Sequence, residues 1–142
     1  MPLNHQLLPL QDYHKAKRLA WNPQDIDMTR DMSDWKKLAP DEQDVVKRLT
    51  SLFVTGEEGV ASNLAPMLWR LGQSGDLREE EMFVTTQIFD EARHVEFFHR
   101  FFNEVVSEPV DFSMYYGDAY RQIFFDNGFF ASNIKPSYLM IE

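Results

Sequence analysis

Three side chains have the types and the spacing of metal ligands: Glu91 and His94, three positions apart, and Glu57 further up the chain. On a helix, residues at i and i+3 leave from one face, so a carboxylate oxygen and an imidazole nitrogen at that spacing reach a single ion. An isolated Glu-x-x-His is a weak signal, since its ordinary form is a solvated Glu beside a His with some other partner. The surroundings sharpen it. Val84, Ile88, Val95, Phe98 and Phe102 lie one or two turns away on the same face, and a charged pair on an apolar stripe needs a partner. Coordination to a cation offsets that burial cost. Glu57 repeats the anomaly on a second stripe made by Phe53, Val60, Leu64 and Leu71, whereas its neighbour Glu58 falls toward Val54, Ala61 and Ala65. One Glu from one helix and a Glu-x-x-His from the next form half of the ligand set with which a helical bundle holds two metal ions in its core. Carboxylate oxygen and imidazole nitrogen suit iron and manganese, whose open positions admit dioxygen; zinc alone does not explain a carboxylate-rich set.

Two long helices must position these groups. Pro40 suits a first helical position, and Asp41 and Glu42 favour the positive end of the helix dipole. From there Val45, Val46, Leu49, Phe53, Val60, Leu64, Met67 and Leu71 recur at three- and four-residue steps until Gly72 and Gly75 stop the run. The first long helix is thus expected over 40–72, at least about 48 Å in length, with a kink at Pro66. A second is expected over 76–106, antiparallel to the first because the connection Gln73-Ser74-Gly75 is short. Its first turn, Arg78 to Glu81, reads as solvated. Residues 1–39, with Pro2, Pro9 and Pro23 and no sustained period, read as an extended N-terminal arm in which Asp31 to Trp35 holds a short helical turn. A third helix is expected to start over 118–125, and 126–142 has no clear period.

Other prominent residues have plainer explanations. Phe97, Phe98, Phe101 and Phe102 read as core and interface, His99 as surface, and Trp35 and Trp69 as packing residues.

Composition bounds the function. The 142 residues are 44% hydrophobic and 14% aromatic, enough for a single domain with a core. A net charge of −9 disfavours nucleic-acid phosphates and anionic membrane surfaces. With no cysteine, there is no disulfide framework, thiolate nucleophile or zinc-thiolate cluster. The start lacks the order of a secretory signal, and no apolar run approaches a membrane span, so a cytoplasmic location is expected.

On WNPQDIDMTRDMSDWKKLAPDEQ from Trp21, LFVTGEEGVASNLAPML from Leu52, EEEMFVTTQIFDEARHVEFF from Glu79 and YRQIFF from Tyr120, the chain resembles the ferritin-like superfamily that includes the ribonucleotide reductase small subunit. Within it, the chain is similar to the ligand-binding manganese/iron oxidases. The resemblance covers roughly residues 15–125. It implies an all-α, ferritin-like helical bundle, here an incomplete one built on a long antiparallel helix pair. It also implies that the first glutamate of the Gly-Glu-Glu-x-Val stretch, Glu57, is a ligand. Val60 would be the position that forms an ether cross-link to a tyrosine from the second half of the fold, with a long-chain fatty acid bound beside the metals. The implied cofactor is manganese with iron, or two irons, driving a two-electron oxidation by oxygen.

Two departures bear on that expectation. The position one turn after the histidine, commonly the radical tyrosine of the reductase subunit, is Phe98, which disfavours a radical-generating reductase subunit. The family's second Glu and second Glu-x-x-His have no counterpart in this sequence, and 126–142 does not resemble the family. The expectation is a truncated domain carrying half a metal site, completed by a C-terminal half or by a second copy in a homodimer. The alternative is a non-catalytic helical fragment.

Overall fold

The computed structural model describes residues 2–108 and 111–122, without the side chains of Glu58 and Ser62. The tail at 126–142, the end of the third helix at 123–125 and the direction of Glu58 therefore lie outside the described residues. Five α-helices are present among those described: α1 Leu8–Arg18, α2 Thr29–Trp35, α3 Pro40–Ser74, α4 Arg78–Phe101 and α5 Asp118–Arg121. Short 3-10 turns occupy Pro23–Asp25 and Phe112–Tyr115, and a π-helical turn over Phe102–Val106 continues α4. The architecture is all-α, as expected.

The long pair forms where the periodicity placed it. At the start of α3, the Glu42 carboxylate reaches back to accept the Ala39 N–H at 2.7 Å, satisfying a donor that the helix leaves unpaired. α3 runs 35 residues and passes through Pro66. It ends two residues later than the sequence suggested, because Gly72 stays helical and only Gly75, at φ 76°, takes the left-handed conformation that terminates it. α4 then returns along α3.

The arm is not extended. Leu8–Arg18 is an 11-residue helix with a proline in its first turn and Lys15, Lys17 and Arg18 in its last, where cations complement the dipole. Only Leu10 of this helix is buried; the segment is short and mostly polar, and it docks on α4. The expected short turn before Trp35 is α2.

The core gathers at one end of the pair, where Met28, Trp35, Val54, Phe102, Val105 and Val106 are buried and Phe97, Phe98 and Phe101 pack against them. This bears out the four phenylalanines as core residues. Trp69 departs from expectation, standing 45% exposed. The first turn of α4 is also not simply solvated: Glu79 is buried and accepts the Asn4 N–H at 2.5 Å.

The apolar stripe of α3 that carries Glu57 is left largely open. Val45, Leu49, Phe53, Val60 and Met67, all members of the predicted stripe, are exposed. Among the described residues, no helix is long and apolar enough to cross a membrane.

Candidate metal centre

Glu57 comes from the middle of α3, and Glu91 and His94 come from α4. One ligand atom from each lies within 4.8 Å of the others. His94 Nδ1 stands 3.3 Å from Glu91 Oε2 and 3.4 Å from Glu57 Oε2. The antiparallel return makes this possible, since it sets one turn of α4 beside the turn of α3 that carries Glu57. Glu91 is the most enclosed of the three, with its side chain 14% exposed against 38% for His94. Burial, and the hydrogen bond shared with the Glu57 carboxylate, push the Glu91 carboxyl up to about 7, while His94 pulls it down. Ionising Glu91 in a partly buried site beside a second carboxylate is costly. A cation would remove that conflict, so the donor set fits iron or manganese on its chemistry.

Aromatic groups frame the site. Phe53 and Phe98 stack at 5.9 Å between centroids, one turn from Glu57 and His94 respectively. Trp21 stacks on the His94 ring at 5.9 Å and meets Phe97 edge-on at 6.2 Å. Val60, one turn beyond Glu57, is 39% exposed on the open stripe. His99 is exposed, edge-on to Phe112.

The family model of the ribonucleotide reductase small chain matches residues 9–123. The chain belongs to that family. Among solved structures, this small-chain family member is 36% identical to an R2-like ligand-binding oxidase with an aerobically reconstituted Mn/Fe cofactor, at a TM-score of 0.80. The match covers 87% of this chain and 43% of that one. A substituted form of the R2-like ligand-binding oxidase, with an anaerobically reconstituted Mn/Fe cofactor, matches at 35% identity and a TM-score of 0.81, covering 88% and 47%. The family member described here thus spans less than half the length of these solved relatives, as expected for an N-terminal half of the fold.

Sequence reasoning missed two groups beside the site. Trp21 stood out only as the start of a family-like segment, and Arg93, buried between the two ligand positions of α4, did not stand out at all. Their significance depends on contacts between residues 72 positions apart, which no local spacing reveals.

Proposed function

We propose that Glu57, Glu91 and His94 are metal ligands and that this chain supplies half of a dimetal-carboxylate oxidase centre that activates oxygen. The observation that carries the reading is the convergence of two carboxylates and an imidazole within 4.8 Å in the middle of an apolar stripe left open on α3. Iron and manganese, when bound, supply the redox capacity to reduce dioxygen by two electrons; the Mn/Fe cofactor of the solved relatives favours that pair. The chain's own part is to hold the ions and to keep their surroundings apolar. Glu57 and Glu91 neutralise a divalent charge, and Glu91 gives up the proton it holds in the metal-free site. His94 adds a neutral nitrogen.

Three side chains cannot complete two metal positions. If Glu91 bridges two ions, the second has no terminal ligand from this chain. A second copy facing the first across the open stripe, or a C-terminal half carrying its own Glu and Glu-x-x-His, restores the set. The same stripe, with Phe53, Val60 and Met67 exposed, suits the acyl chain of a long-chain fatty acid. On this reading Val60 is the cross-link position: its Cβ–H and a tyrosine O–H from the second half would give up two protons and two electrons to dioxygen, yielding hydrogen peroxide, as the ether forms. A cytoplasmic setting accords with such chemistry.

Oxygen uptake after loading with Fe²⁺ and Mn²⁺ tests this reading. Uptake should rise with the fraction of associated chains and vanish in His94→Ala, with Glu58→Ala much milder. Uptake proportional to total chain where only monomer exists would contradict the half-site arrangement.

A further inference from the structure

Trp21 precedes the first 3-10 turn and lies far in sequence from the ligands, yet its indole stacks on the His94 imidazole at 5.9 Å with the planes 25° apart. The backbone around it is fastened to α4 by side chains. Arg93 Nη1 donates to the Trp21 carbonyl at 2.7 Å. Arg100 donates to the carbonyls of Pro23 and, at 3.3 Å, of Ile26. Gln24 Nε2 donates to Glu96 Oε1 at 3.2 Å. Positions 93, 96 and 100 share one side of a helix, so a single strip of α4 grips residues 21–26. Arg93 does more than anchor the backbone. Almost wholly buried and paired with Asp90, its guanidinium lies over the Trp21 ring at 5.4 Å and the Phe89 ring at 4.8 Å. The indole is therefore held between Arg93, Phe97 and His94.

An imidazole turns easily about its ring torsion, and a metal site needs the ring plane fixed, commonly by a neighbour beyond the ligands themselves. We propose that Trp21, clamped by Arg93, is a positioning residue for the metal centre: its stacked face fixes the plane of His94 so that Nδ1 faces Glu57 and Glu91. The inference rests on the metal-centre reading and adds a device contributed by the N-terminal segment.

The test uses the full chain with Mn²⁺ alone, free ion being followed by its electron paramagnetic resonance signal, at a temperature where circular dichroism shows every variant folded. Trp21→Leu, which keeps apolar bulk without a ring, and Trp21→Ala should each lose about tenfold in Mn²⁺ affinity. Trp21→Phe, still able to stack, should stay close to the unsubstituted chain. In the metal-free protein, the His94 ring protons should carry an upfield ring-current shift that survives in Trp21→Phe and disappears in Trp21→Leu. Folded Trp21→Leu that binds Mn²⁺ as tightly as the unsubstituted chain would overturn the inference and leave the metal centre standing. Absence of Mn²⁺ binding by the unsubstituted chain would overturn both.

Discussion

Phe53 of α3 and Phe98 of α4 stack within 3° of parallel, each one helical turn from a proposed ligand. The pair closes one side of the site with hydrocarbon, and it occupies the place where a tyrosine after the histidine would stand. Aromatic pairs contribute about 0.5–1.5 kcal/mol beyond the area they bury. A double-mutant cycle of Phe53→Leu and Phe98→Leu, followed by urea unfolding, should return a coupling energy in that range. A coupling near zero would mean that the half-exposed Phe53 ring is not held by its partner.

The metal-free chain should respond to pH through Glu91. Its carboxyl is raised from 4.5 to about 7 in the folded state, so the folded chain binds that proton more tightly than the unfolded chain does. The resulting stability is fully present below about 4.5 and is lost as pH rises through about 7. Between pH 5 and 7.5, acidification should therefore raise the melting temperature of the metal-free chain, and Glu91→Gln should flatten the slope. Asp27, Asp34, Glu104 and Asp111 have lowered values and act in the opposite sense, but only at more acid pH. A melting temperature that rises from pH 5 to 7.5 would contradict the Glu91 assignment.

The open stripe predicts self-association. Val45 and Leu49 are 62% and 55% exposed and continue the line of Phe53 and Val60 along α3, and contiguous apolar surface of this kind marks an interface. Sedimentation should show a monomer–dimer equilibrium weakened at least about tenfold, or about 1.4 kcal/mol, by Leu49→Glu. A monodisperse monomer at high concentration, unaffected by that change, would show that the stripe is not an interface between copies.

Much of this architecture is legible in the sequence because it rests on local chemistry. The three- and four-residue apolar steps from Val45 to Leu71 give α3 its face, Gly75 ends it, and the anomaly of Glu57 and Glu91 on apolar stripes points to the site. What the sequence hides depends on distant partners. Glu79 resembles a solvated first-turn acid until Asn4 is seen to donate to it. Leu8–Arg18 is short and mostly polar, with Leu10 its one buried residue, and its place on α4 is a contact distant in sequence. Trp21 acquires meaning only when the segment at 21–26 is fastened over His94. Trp69 misleads for a related reason: it is apolar in type, but no described element covers it, and it stays half-exposed.

The most direct test of the central claim is the metal content of monomer and dimer fractions, separated by size after aerobic loading with Fe²⁺ and Mn²⁺ and removal of loosely bound ion. Glu57, Glu91 and His94 together should retain about two metals per pair of chains and at most one weakly held ion in the monomer, with retention lost in His94→Ala. No retained metal in either fraction, or equal retention in His94→Ala, would contradict the assignment of these three residues as ligands.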